Sequence, residues 1–354
     1  TNTDEAIGLV SQLRQLLGRG GFRLTKWCSN SRELMATIPE SERAKSVKNL
    51  ELDRLPTESA LGIKWNTEED VFVWDVGEKM LRLVNEMSVT QRAIVSAVYS
   101  LFDPLRFIAP YVMKAKLLLQ MLCRKGVGWD DPLQECKKSQ WKRWLADLPK
   151  LKAVRVNRCF KPVGFGYVKE VQLHLFFFFF RLGYSSVAYL RLEDFSGQIH
   201  CAFVIGKARL APLREISIPR LELTAADISV RLSKIVQEEL DLTVQQVYYW
   251  TDSMSVLKCI HNENKRFHTF ESNRLPVIHS GSDPSEWRYV NRETNPADDG
   301  SKGVKLDALI ANDRWLKGPG SLWKDQTHWP RTERELVLQN DDPAVRKDVQ
   351  VYFA

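Results

Sequence analysis

Five consecutive phenylalanines, Phe176 to Phe180, stand inside LHLFFFFFRLGYSSVAYLR, which spans Leu173 to Arg191. Successive side chains of a strand point to opposite faces, so this run places large rings on both sides of a sheet. A central strand buried on both faces tolerates such a run, though a phenylalanine at the place of a small residue would overpack. The tract is the chain's one low-complexity segment, and no internal repeat accompanies it.

The 354 residues suffice for two domains, or three small ones. With 44% hydrophobic and 27% charged residues the composition is that of a globular protein. No apolar run approaches the roughly 20 residues of a membrane helix. TNTDEAIGLV starts with Thr1 and has no apolar signal core, so the chain reads as a piece of something longer. The expected location is intracellular, cytoplasmic or nuclear, and not secreted. Six scattered cysteines without a Cys-x-x-Cys pair argue against zinc and for reduced thiols. A net charge of +7 permits a polyanion partner without requiring one.

Two grammars divide the chain. In the first half, DEAIGLVSQLRQLLGRGG reads as an amphipathic helix stopped by Gly18, Gly20 and Gly21. FRLTKW alternates like a strand, and ALGIKWNTEEDVFVWDV like a hairpin turning at NTEED. Three helices follow: one capped by Ser88 and stopped at Pro104, one over APYVMKAKLLLQMLCRKG, and one with Trp141, Trp144 and Leu148 on a single stripe. The second half has three strand-like runs, VQLHLFFFFF, SVAYLRLED and QIHCAFVIGKARLAP. Then come a long helix over IPRLELTAADISVRLSKIVQEEL, a strand QQVYYWTDS, a helix MSVLKCIHN, a helical RFHTFESNRLPVIHS and a short strand SEWRYVN. This is a compact mixed α/β unit. From about Val304 the signals weaken and the residues read as a loose tail.

Three carboxylates of the second unit can converge. Glu222 lies early in the long helix, Asp252 ends the strand VYYWTD, and Asp298 lies in NPADDG. Two Mg²⁺ ions that clamp the attacking water and the leaving oxygen of a phosphodiester need several such carboxylates. Taken singly each has a plainer role: Glu222 solvated, Asp252 an N-cap, Asp298 a turn cap. The order of the three along the chain makes the joint signal the stronger one.

Val171 to Gly303 resembles the ribonuclease H domain of BEL/Pao-type LTR retrotransposon polyproteins. In that family the first strand reads like HLFCDAS…GYGAVAYLR, the helix PRLELxAA, the fourth strand WTDS, and the end NPAD-x-x-SRG. This chain has HLFFFFFRLGYSSVAYLR, PRLELTAA, WTDS and NPADDGSKG. The upstream runs GGFRLTKWCSN, LPTESALGIKW and SVTQRAIVSAVYSLFDPLRFIAP resemble the end of a reverse transcriptase. The resemblance implies an α+β N-terminal region: palm end with a primer-grip-like hairpin at 1–80, thumb/connection at 81–165. It implies an α/β RNase H-like domain with a mixed five-stranded sheet at 166–303, and a linker toward an integrase at 304–354. The first half belongs to what is called a Pao peptidase region, but no Asp-Ser/Thr-Gly triplet occurs, and no Tyr-x-Asp-Asp polymerase motif.

The resemblance implies Mg²⁺ or Mn²⁺ at Glu222, Asp252, Asp298 and a fourth position, where Phe178 replaces the family's first metal-binding aspartate. A phenyl ring offers no oxygen to a cation, so the implied hydrolysis of RNA in an RNA–DNA hybrid is expected to be lost. Tyr289 in place of a histidine and Arg106 in place of a glycine point the same way. Asp299 could replace Asp298 by a one-residue shift, and Ser253 and Asn295 could orient the site. The rival expectations are a non-catalytic nucleic-acid-binding remnant, an inert product, and a nuclease running on the three surviving carboxylates. Lys64, Trp65, Lys207 and Arg209 are the expected nucleic-acid contacts. The expected partners are a hybrid or other nucleic acid and the remaining polyprotein parts: protease, polymerase core and integrase.

Overall fold

The computed structural model describes residues 2–47, 57–60, 63–77, 89–213, 216–262, 266–331, 336, 338, 344 and 345. The chain forms two compact units: Thr1–Val76 with Leu151–Cys159, and Gly77–Lys150 with Phe160–Ala354.

The first unit opens with α1 (Thr3–Arg19), started by a capping box between Asn2 and Glu5 and ended at Gly20. Ile7 and Val10 lean on Leu34, Met35 and Ile38. The strand expected at FRLTKW is a single bridge, Trp27 to Arg43. Phe22 is 70% exposed, so this alternation has no face to bury. Four antiparallel strands follow in sequence order: β1 (Thr57–Ala60), β2 (Ile63–Asn66), β3 (Val71–Val73) and β4 (Arg155–Asn157). The β2–β3 hairpin turns at NTEED as expected, with Asn66 Oδ1 accepting from the Glu68 and Glu69 amides.

The second unit begins with helices at Gln91–Ser100, Ala109–Arg124 and Glu135–Asp147, here α2, α3 and α4; the five-residue helix Arg32–Ala36 of the first unit carries no label. The cap of α2 is Thr90, whose side chain accepts from the Ala93 amide. Ser88, expected there, lies outside the described residues. Trp141, Trp144 and Leu148 are buried together as their spacing predicts.

The sheet of this unit has strands β5 (Val168–Phe180), β6 (Gly183–Asp194), β7 (Ile199–Leu210), β8 (Gln246–Thr251) and β9 (Trp287–Tyr289), in the order β7-β6-β5-β8-β9. β5, β6 and β7 are antiparallel neighbours; β8 runs parallel to β5, and β9 to β8. The mixed five-stranded sheet is thus present, with the phenylalanine strand at its centre. Helices α5 (Ile218–Glu239), α6 (Met254–Ile260), α7 (Thr269–Ser272), α8 (Leu275–Gly281), α9 (Ala297–Lys302), α10 (Leu306–Ala311) and α11 (Arg314–Lys317) surround it.

Alternate residues of β5 serve opposite faces. Leu173, Leu175 and Phe177 join Ala188 and Leu190 in the aliphatic core under α5, and Phe179 meets Ala211 and Leu221. On the other face Phe176 stacks on Trp250, 5.6 Å between centroids, and its edge meets Tyr189. Small partners on β6 make room: Ser186 opposite Phe177, Ser185 opposite Phe178, Gly183 opposite Phe180.

The stretch after Gly303, expected to be loose, closes this second face. Trp315 is buried, and its carbonyl accepts from Tyr189 Oη at 2.7 Å. The guanidinium of Arg191, itself fully buried, donates to the carbonyls of Leu322 and Lys324. Trp329 sets its edge against His174, Tyr248 and Trp250. His174 is a structural residue: its Nδ1 accepts from Trp250 Nε1, and burial holds it neutral.

Candidate functional site

The C-terminal ends of β5 and β8 lie side by side, with Phe176 paired to Trp250. Two residues further on, Phe178 is level with Asp252, the first residue past β8. Ser253 caps α6 by accepting from the Val256 amide, and donates to Glu222 Oε2 at 2.7 Å. The capping role that Asp252 could have filled therefore belongs to Ser253. Glu222 comes from the early turns of α5, between buried Leu221 and Leu223.

The fourth contribution arrives from below β5 and β6. Asn295, fully buried, donates to the Phe177 carbonyl at 3.0 Å and accepts from the Ala297 amide. Ser185 donates to the Ala297 carbonyl. A Cβ on Gly300 would lie 2.8 Å from Ser185 and from Trp315, so only glycine lets α9 come this close to the sheet. This seat carries Asp298.

The electrostatics link the three carboxylates in a row. Burial pushes the Asp252 carboxyl up to about 6; Asp298 pushes the same way, while its own backbone amide, Arg292 and Lys302 pull down. Burial also raises Glu222, opposed by the Ser253 hydrogen bond and aided by Asp252. Asp298 is already neutralised: Lys302 Nζ donates to Oδ2 at 2.6 Å, and Arg292 Nε stands 3.6 Å from Oδ1. Asp299 is turned to Arg314, 3.0 Å from Nε.

Phe178 brings a ring without oxygen to this end of the sheet. The Arg292 guanidinium lies 5.2 Å and the Lys302 ammonium 5.5 Å from its ring, and Lys302 is also 5.5 Å from the Phe180 ring. Two cations occupy the surroundings in which a divalent ion would need a carboxylate. Among the described residues no three His, Cys, Asp or Glu side chains are grouped so as to hold a metal ion. With Phe178 bare of oxygen and Asp298 paired to a lysine, the residues present do not fit a two-ion clamp.

Arg292 and Lys302 were not among the expected site residues. Lys302 has a sequence signal: it stands four residues after Asp298 in a helix, the spacing of an intrahelical ion pair. Arg106 has φ 69°, a conformation that favours glycine, which is the residue its sequence context led one to expect. Tyr289 is partly buried against the core under α5.

Of the expected nucleic-acid contacts, two lie in each unit. Lys207 and Arg209 lie on the α5 side of β7, opposite Ser186 and Tyr184; burial and then Arg209 depress the Lys207 ammonium. Lys64 and Trp65 lie in the first unit. They are adjacent in β2 and so point to opposite faces. Lys64 is paired to Asp75 at 2.8 Å, and Trp65 donates to Asp70, with Arg158 over its ring.

Residues 90–253 match a family model described as the Pao retrotransposon-like RNaseH-like domain. That stretch covers less than half of the chain; it includes Phe178, Glu222 and Asp252 and stops short of Asp298. Among solved structures, RNase H1 from the halophilic archaeon Halobacterium salinarum NRC-1 is similar at 14% identity, over 41% of this chain and 98% of that one, with a TM-score of 0.24. A search of curated proteins returned no match. Residues 90–253 are thus similar to the RNase H-like domain of Pao-type retrotransposons, and they contain four of the five strands of the mixed sheet. Among the described residues no helix is long and apolar enough to cross a membrane.

Proposed function

We propose that the second unit is a catalytically disarmed RNase H-like domain of a BEL/Pao-type polyprotein, which keeps its fold and its capacity to hold nucleic acid. The parental reaction is Mg²⁺- or Mn²⁺-dependent hydrolysis of RNA in an RNA–DNA hybrid, served by Glu222, Asp252, Asp298 and a carboxylate at position 178. The observation that carries the reading is the Phe178 ring between Arg292 and Lys302, with Lys302 also bound to Asp298. Cations supplied by the chain balance charge that the parental site would have left for metal ions.

The assignment of residues 1–165 to a polymerase end and connection belongs to the same proposal, as do the protease, polymerase core and integrase as parts of the parent. It rests on the motifs of that half.

The test uses the full chain with an RNA–DNA hybrid, first with Mg²⁺ and then with Mn²⁺. The unaltered protein is expected to bind the hybrid with a steep salt dependence and not to cut it. Replacing Phe177 to Phe180 by Cys-Asp-Ala-Ser is expected to restore cutting. Metal-dependent cleavage by the unaltered chain, abolished by Asp252→Asn, would show that the site is armed. A restored variant that folds and binds hybrid but leaves it intact would remove Phe178 as the lesion.

A further inference from the structure

Away from the carboxylates, a cavity of about 450 Å³ opens between α3, α4 and the residues leading into α10. It falls within the roughly 300–1,000 Å³ typical of small-molecule pockets. One wall is a parallel ring stack: Tyr111 on Trp144 and Trp144 on Trp141, each 4.8 Å between centroids. Two reciprocal hydrogen bonds lock it, Tyr111 Oη to the Trp144 carbonyl and Trp144 Nε1 to the Tyr111 carbonyl.

The opposite rim is set by Gly303. Its φ is 70°, and a Cβ there would lie 2.9 Å from the Lys114 amide nitrogen and 3.0 Å from the Pro110 carbonyl. The Val304 amide then donates to that carbonyl, which lays the chain along α3 and brings Lys305 beside Lys114. The two ammonium groups face one cavity, and burial together with Lys305 depresses Lys114.

The charges around the cavity do not cancel. Its two carboxylates, Asp147 and Asp307, share Lys150 at 3.0 and 2.8 Å. Lys114, Lys305 and Arg143 make no ion pair among the described residues. Arg143 spends its Nε on the Ser139 carbonyl. Three cations without carboxylates beside a rigid aromatic wall suit a ligand that is anionic at one end and flat and apolar at the other.

We infer that this cavity binds an organic phosphate, a nucleotide unit either free or at the 5′ end of a strand. Lys114 and Lys305 hold the phosphate, and the edges of the ring stack border the space for base and sugar. The inference is independent of the state of the carboxylate site.

Calorimetric titration of the full chain tests it, with adenosine 5′-monophosphate, adenosine, and one short DNA carrying either a 5′-phosphate or a 5′-hydroxyl. The monophosphate is expected to bind at least about 10-fold tighter than adenosine. If the site serves strand ends, the 5′-phosphorylated DNA gains a similar factor over its hydroxyl form; if it serves free nucleotides, the two DNAs bind alike. Lys114→Gln with Lys305→Gln is expected to weaken the monophosphate about 10-fold with an unchanged melting midpoint, and Lys234→Gln to leave it as it was. Should the double variant fold poorly, Lys305→Gln alone, at an exposed position, is expected to weaken binding about threefold. Equal affinity for adenosine and its monophosphate, or for the parent and a folded Lys305→Gln variant, overturns the inference.

Discussion

The two faces of the five-stranded sheet are covered in different ways. On one, a single 22-residue helix, α5, lays an apolar stripe over Leu173, Leu175 and Phe177. On the other, beside the helix α3, pieces of four to six residues such as α9 and α11, and the turn at Gly320–Trp323, are tied down one by one through buried polar groups. The first face depends on the area a regular helix can bury. The second depends on a few donors, Tyr189, Arg191 and Asn295, reaching specific carbonyls.

The largest expected effect breaks the second face outright. A chain ended at Gly303 uncovers Tyr189, Arg191 and Phe203 and takes from Arg191 the Leu322 and Lys324 carbonyls, leaving it Gln172 and Glu193. The loss should exceed the roughly 5–15 kcal/mol a domain has to spare. Thermal unfolding should then show no cooperative transition for the second unit, and a soluble, cooperatively melting 1–303 chain would contradict the account of that face.

Next come two charge insertions one residue apart. Phe177→Asp puts a carboxylate into the aliphatic core and should cost about 4 kcal/mol or more. Phe178→Asp puts it beside Arg292 and Lys302 and should cost under about 2 kcal/mol. Urea titrations of both variants decide it: equal losses would mean that the faces do not differ as described.

The third effect is smaller and depends on pH. Asp252 and the buried Asp103 both titrate near 6 in the folded chain, burial being the first cause in each. An unfolded aspartate titrates near 3.9, so between about pH 4 and 6 the folded state holds the extra protons. Stability from these groups is therefore full below about pH 4 and is lost as pH rises through 6. Asp252→Asn should flatten part of that slope and add about 1 kcal/mol at pH 7, allowing for solvent reaching the group. A denaturation series from pH 4 to 7.5 that is superimposable for parent and variant would count against it.

The smallest effect concerns the loop before α3. Arg106→Gly relieves a left-handed residue and should gain about 0.5–1 kcal/mol, read as a higher urea midpoint. An unchanged or lower midpoint would mean that the arginine side chain offsets its backbone strain.

The same contrast separates what the sequence disclosed from what it hid. IPRLELTAADISVRLSKIVQEEL carries several turns of periodicity, so α5 and the strands around it were legible, as was the centrality of the phenylalanine strand. ADDGSK and RWLK are too short to show a period, and they are held by main-chain carbonyls that no side-chain pattern encodes. FRLTKW misled because alternation marks a strand only where a neighbour waits to pair. At the site, order along the chain pointed to Glu222, Asp252 and Asp298. Arg292 stayed hidden because an arginine near a loop reads as solvated surface, and it is the folded chain that brings it and Lys302 beside Phe178 and Asp298.

Arg191 grips the closing segment through the carbonyl oxygens of Leu322 and Lys324, atoms that every amino acid carries. The sheet thus measures the length of the segment from Trp315 to Lys324 and is indifferent to the identity of the residue at 324. Exchanges there should pass unnoticed, whereas loss or gain of a single residue between those points slides both oxygens off the guanidinium. Among related chains, this stretch is expected to vary in composition while keeping a constant span.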